Sequence, residues 1–232
     1  MTAATGRRGP GDGPTAGVAR PTGTGAPALP RRALLASPLL AAPLLLVPAR
    51  LRAAPPAGGY RWRIIRDGSP VGTHRVSFSR QGPVLSARTE IAILIRLMGF
   101  TVFRYRHDYT ETWEGERLTG FRSLSERQGL VVQSSLRAQG DGLLAIQGDG
   151  REARLPRDAA PLSWWDQATL TRPLFDTTTG QPAEARPVRA GRVWRQATAP
   201  FAEAGYDEAG RWVSYAAKGD DGTPVRYEPE TG

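Results

Sequence analysis

From Tyr60 onward the chain is cut at short intervals by turn pairs ending in glycine, and this punctuation limits what it can fold into. Asp67-Gly68, Gln81-Gly82, Glu114-Gly115, Gln128-Gly129, Asp141-Gly142, Asp149-Gly150, Ala209-Gly210 and Asp221-Gly222 separate segments rich in Val, Ile, Thr, Tyr, Phe and Trp. Each segment is of strand length, and none sustains a helical period. Strands joined by tight turns make a meander. The sequence therefore predicts a mostly β fold, a curved antiparallel sheet or partly open β-barrel that covers its own apolar face.

Two stretches stand apart. Ile91 to Phe103 is strongly apolar, with Ile91, Ile93, Ile95 and Leu97 on one alternation and Ala92, Leu94 and Met98 on the other. Both faces read as covered, and Gly99 reads as a bulge or bend where the strand turns a corner before Phe100. A short helix is the alternative, but the β-branched residues favour a strand. Residues 158–182 break the meander. Ser163 followed three residues later by Asp166 resembles a weak capping box, and a short helix from about Trp164 to Leu170 is expected to cover one opening of the sheet.

Between Phe103 and Trp113 the period of two sorts the side chains. Phe103, Tyr105, His107, Tyr109, Glu111 and Trp113 share one face, and Arg104, Arg106, Asp108, Thr110 and Thr112 share the other. An aromatic wall holding two titratable groups suits a ligand pocket, so Tyr105, His107, Tyr109 and Trp113, with Trp164 from the covering segment, are the candidate ligand-binding residues. His107 and Glu111 are the candidates for catalysis. Four residues of extended strand separate them by about 13 Å, so they are no dyad. A turn at Gly115-Glu116 pairing Trp113 with Leu118 would set Glu111 opposite Gly120, Tyr109 opposite Arg122 and His107 opposite Leu124. Arg122 would then sit diagonal to Glu111, within reach of an ion pair. His74 alternates with Gly72, Val76 and Phe78 on an apolar face. The two histidines and Glu111 lack the spacing of a metal motif, so no metal is expected. Ser163 lacks the glycine elbow of a hydrolase nucleophile.

Upstream of the meander, residues 1–30 are dominated by Gly, Pro, Thr and Ala and read as a disordered leader. Residues 31–54 read as an export signal: Arg31 and Arg32 open an uncharged run from Ala33 to Val47. Pro38 and Pro43 interrupt that run, and it falls short of the ~20 residues a membrane-spanning helix needs. The twin-arginine and general secretory routes both fit, and an uncleaved anchor is the third alternative. Cleavage is expected between Ala49 and Ala54, leaving one β domain over 55–232. The partners this implies are the export machinery and signal peptidase, and the location is periplasmic.

Of the formal charge of +9, most lies in residues 1–54, which hold seven basic side chains and one acidic one. Beyond residue 54 there are 24 basic and 21 acidic side chains, +3, which is no footprint for nucleic acid. Cysteine is absent, which removes disulfides, iron–sulfur ligation, thiol nucleophiles and lipidated cysteine from consideration. No cofactor motif appears.

Asp67-Gly68-Ser69-Pro70-Val71-Gly72-Thr73-His74, Tyr105-Arg106-His107 with Glu111-Thr112-Trp113-Glu114-Gly115, Ser163-Trp164-Trp165 and Asp176-Thr177-Thr178-Thr179-Gly180 together resemble an exported proteobacterial family known as domain of unknown function 6134. The likeness runs from Trp62 to about Tyr227. Where the family pattern has an aromatic and an asparagine, this chain has Trp165 and Asp166. The resemblance implies an envelope-localised β domain with no assigned activity, and a shared role, structural or functional, for His107, Glu111 and Trp113.

Three functional readings stand at this point. The first is an exported binding or envelope-maintenance protein whose aromatic-lined cavity holds an amphipathic or lipid-like small molecule. An enzyme with His107 as general base is the second, and a structural or partner-docking module is the third.

Overall fold

The computed structural model describes residues 54–184, 186–196 and 201–230. The leader 1–30 and the export segment from Arg31 and Arg32 to residue 53 lie outside the described residues.

Eight strands follow one another as a meander: β1 (Tyr60–Arg66), β2 (Ser69–Gln81), β3 (Val84–Leu97), β4 (Phe100–Glu114), β5 (Arg117–Arg127), β6 (Leu130–Gln139), β7 (Gly142–Ile146) and β8 (Glu152–Pro156). A covering segment then carries the short strands β9 (Ala160–Pro161) and β10 (Leu174–Phe175), which pair parallel. A second meander follows: β11 (Val188–Ala190), β12 (Val193–Gln196), β13 (Ala202–Tyr206), β14 (Trp212–Lys218) and β15 (Pro224–Pro229). The two meanders fuse where β15 pairs with β1, giving one antiparallel sheet of thirteen strands in the order β11-β12-β13-β14-β15-β1-β2-β3-β4-β5-β6-β7-β8. This sheet is curved and does not close into a barrel.

Local chemistry explains the turns. At Asp67-Gly68, Met98-Gly99 and Gln128-Gly129 both residues have positive φ, the geometry of a two-residue turn whose twist matches the strands it joins. Met98-Gly99 corrects one expectation. Gly99 does not bend a continuing strand; with Met98 it closes the β3–β4 hairpin, so the apolar run folds back on itself. Its two faces are not both covered either, since Leu94, Leu97, Met98 and Phe100 are exposed.

The inward face of the sheet carries the core, led by Trp62, Val76, Leu85, Tyr109, Trp113, Phe121 and Leu136, with Trp194, Tyr206 and Trp212 from the second meander. Over it lies the covering segment, burying Trp165, Leu170, Leu174 and Phe175. The expected helix over Trp164–Leu170 is reduced to one 3₁₀ turn, Gln167–Thr169. Asp166 sits at the cap, accepting the Ala168 N–H at 3.1 Å, and Ser163 does not. Tertiary packing holds this stretch in place, with Trp164 against Tyr215 and Trp165 against Phe78. Among the described residues no helix is long and apolar enough to cross a membrane.

Candidate functional site

The alternation read along β4 holds in three dimensions: His107, Tyr109, Glu111 and Trp113 are buried inward, while Arg104 and Arg106 are exposed. The register with β5 departs from expectation. Trp113 does pair with Leu118, but a bulge between Thr112 and Trp113 shifts everything beyond it by one residue. Glu111 therefore faces Phe121, Tyr109 faces Ser123, and His107 faces Ser125. Arg122 pairs with Thr110 and is exposed on the outer face, away from Glu111, which overturns the expected ion pair. Glu111 is fully buried. Its two oxygens accept the indole N–H groups of Trp113 at 2.8 Å and Trp165 at 2.9 Å.

His107 is 2% exposed and tied on both ring nitrogens. Nε2 lies 2.9 Å from Ser123 Oγ and 3.1 Å from the Thr177 carbonyl oxygen; Nδ1 lies 3.1 Å from the Tyr105 hydroxyl. A carbonyl can only accept, so Nε2 carries the proton and the Tyr105 O–H donates to Nδ1. In that tautomer Nε2 cannot take a proton from Ser123, so the Ser123–His107 contact is not arranged as a nucleophile and its base. Burial holds the imidazole below its ordinary pKa, opposed by the Thr177 carbonyl and by Asp176 and Asp108.

His74 lies on the same inward face, two strands away, with Ile91 between the two histidines. Its Nδ1 is 3.3 Å from the Tyr227 hydroxyl, and its Nε2 has no hydrogen-bond partner among the described residues. Burial, and then the nearby His107, push its pKa down to about 3. Tyr105, Tyr109 and Tyr227 are all raised, by burial first. The centre of the inward face is thus a neutral, polar-aromatic cluster. Among the described residues no three His, Asp or Glu side chains are grouped to hold a metal ion.

The open space lies farther along this face, toward the β3–β4 turn. A hollow of about 760 Å³ is walled by Ile64, Val71, Ile93, Ile95, Phe103 and Val132, with Tyr105, Ser125 and Thr178 supplying hydroxyls where it meets the histidine cluster. At its mouth Arg127 pairs with Asp220 and Arg66 with Asp221, both acids lying on the β14–β15 turn. The Arg127–Asp220 pair joins elements that are five strands apart in the sheet order, so it spans the mouth.

Of the residues read from sequence as lining a pocket, Tyr105 borders this hollow. His107 backs it through the Tyr105 hydroxyl. Tyr109 and Trp113 are packed in the core, Tyr109 between His107 and Phe121 and Trp113 beneath the Arg172 guanidinium. Trp164 stands against Tyr215, with its carbonyl accepting the Tyr206 hydroxyl at 2.7 Å. The hydroxyls of Ser125 and Thr178 went unread, because neither carries a local signal. The wall residues Ile93 and Ile95 do have one, the alternation from Ile91, which in sequence reads as a covered face.

A family model described as Domain of unknown function (DUF6134) matches residues 62–230. A crystal structure of a DUF1089 family protein from Pseudomonas aeruginosa is similar at 17% identity over 60% of this chain and 87% of that chain, with a TM-score of 0.39. A comparison with curated proteins gives no match.

Proposed function

We propose that this chain, which belongs to the family described as domain of unknown function 6134, is an exported envelope protein that holds an amphipathic small molecule in the hollow beside Tyr105. The observation that carries the reading is the hollow's division of labour. Aliphatic and aromatic walls suit an acyl chain or similar apolar body, while the hydroxyls of Tyr105, Ser125 and Thr178 at one end suit its polar group. A volume of about 760 Å³ falls in the range of small-molecule sites. Export rests on Arg31-Arg32 and the short apolar run behind them, and places the protein in the periplasm. The general-base alternative finds no support in a histidine protonated on Nε2, hydrogen-bonded on Nδ1 and closed to a substrate.

Native mass spectrometry of the purified chain tests for a retained small molecule, and displacement of a fluorescent fatty acid measures affinity. Ile95→Trp, which fills the hollow from β3, should weaken the probe at least about tenfold with the far-ultraviolet spectrum unchanged. Tyr105→Phe should weaken it less, by removing one polar contact. A chain that carries nothing, with probe affinity indifferent to both changes, overturns the reading.

A further inference from the structure

Past Ile93 the sheet narrows to two strands. β2 last pairs with β3 at Gly72 and Ile93, and β5 reaches β4 no farther than Arg127 opposite Tyr105. Residues 94–97 and 100–104 therefore project as a hairpin finger about 13 Å long at the usual strand rise. Its base is fixed to the β5–β6 turn. The Gln128 side chain accepts the Arg104 N–H at 2.8 Å and donates to the Val102 carbonyl at 3.0 Å.

The finger's end is apolar and bare: Met98 is 91% exposed, Phe100 77% and Leu97 62%. Leu130 and Val131, beginning β6 beside the base, are exposed as well. Contiguous apolar side chains at a protruding tip mark a contact surface, since single exposed apolar residues are scattered in ordinary surfaces and not gathered. Charge selects the partner. From Ile91 to His107 the chain carries Arg96, Arg104 and Arg106, all exposed, and no acid. Among the described residues none of these three arginines is in an ion pair. Asp220 and Asp221 at this end are engaged by Arg127 and Arg66, and Glu126 stands opposite Arg106 in the sheet.

We propose that the finger docks on an anionic lipid bilayer, its apolar end entering the interfacial layer while Arg96 and Arg104 meet headgroup phosphates. Val102, Phe103 and Leu130, at and beside the finger's base, also line the hollow, so the docking surface adjoins the space a molecule leaving the bilayer would occupy. The proposal rests on the hollow being a ligand site and names the surface that supplies its ligand. A second copy of the chain is a poorer occupant: a two-fold contact through this tip sets arginine against arginine, and a convex finger needs a partner that deforms. Tryptophan is absent from the tip, so insertion is shallow and reversible, and anionic lipid is what gives it strength.

Because the chain has no cysteine, Met98→Cys gives a single labelling site in the full chain. Gln81→Cys, at the opposite end of the β2–β3 hairpin, is the control. With an environment-sensitive fluorophore at each, vesicles of phosphatidylglycerol and phosphatidylcholine should shift the Met98 label to the blue and shield it from iodide, leaving the Gln81 label unchanged. Arg96→Ala and Arg104→Ala should each weaken binding about fivefold, and added salt should weaken it further. Labels that stay unchanged, or that shift alike, overturn the proposal, and so does a Met98 shift driven by protein concentration without lipid. Fatty-acid displacement in the absence of vesicles separates the two readings. Intact displacement with a silent Met98 label sinks docking alone, whereas a Met98 shift with no displacement sinks the ligand reading and leaves the docking surface.

Discussion

Trp165 donates its indole N–H to Glu111 at 2.9 Å, fastening the covering segment to the C-terminal part of β4. The second oxygen of the same carboxylate accepts the indole of Trp113, two residues along the strand. One fully buried side chain thus fixes a local rotamer and a contact between parts of the chain 54 residues apart. The ring of Trp165 also packs edge-on against Phe78 at 5.0 Å, so its position is set by shape as well as by the bond.

Removing the acceptor should therefore cost more than removing one donor. Glu111→Ala deprives two buried indoles of their partner and should lower unfolding free energy by about 2–5 kcal/mol. Trp165→Phe keeps an aromatic ring near Phe78 and should cost about 1–3 kcal/mol. Urea unfolding followed by circular dichroism ranks the two, and an equal or inverted ranking would contradict this account.

Acid should destabilise the fold through its histidines. Burial places the His74 pKa at about 3 and lowers that of His107, against an ordinary value of 6.5. Below about pH 6.5 the unfolded chain binds protons that the folded chain refuses, so the contribution is fully present above that pH and is lost as pH falls. For His74 the slope approaches about 1.4 kcal/mol per pH unit across the window from about 6.5 down to about 3. His74→Phe should flatten the urea midpoint measured between pH 4.5 and 8, and a wild-type slope retained in that variant would place the effect elsewhere.

The pair across the mouth should govern passage and not stability. Arg127 and Asp220 are both exposed, and exposed ion pairs contribute about 0–1 kcal/mol. Asp220→Ala should leave the unfolding midpoint nearly unmoved while quickening release of a fluorescent fatty acid in stopped-flow. Unchanged release would show that the mouth is not held there.

Gly72 should tolerate no side chain. A Cβ built on it would stand 2.0 Å from the Ala92 carbonyl oxygen, so Gly72→Ala must push β2 from β3 beside the hollow. A loss of about 1–3 kcal/mol is expected by thermal or urea unfolding.

The sequence disclosed features whose causes are local. Turn pairs such as Asp67-Gly68 and Gln128-Gly129 carry their own backbone chemistry, and the inward set of His107, Tyr109, Glu111 and Trp113 follows from strand alternation alone. Met98-Gly99 was missed as a turn because an apolar residue at positive φ looks, in sequence, like the middle of a strand. The bulge at Thr112 was invisible for a related reason: one extra residue leaves no compositional trace, yet it moves Ser125 opposite His107 and sends Arg122 outward. Trp164 and Trp165 show the limit most plainly. Ser163 and Asp166 flank them at a cap-like spacing, but the rings they pack against, Tyr215 and Phe78, come from distant strands.

The seam between β1 and β15 imposes an order on biogenesis. Trp62 and Ile64 lie opposite Pro229 and Tyr227, so a strand made early waits, with one flank unmet, until β15 has been synthesised. A ribosome-bound or clipped chain would present that flank to other chains as a template for intermolecular pairing, and pairing so distant in sequence is slow to form. Removal of β15 should therefore lower soluble yield.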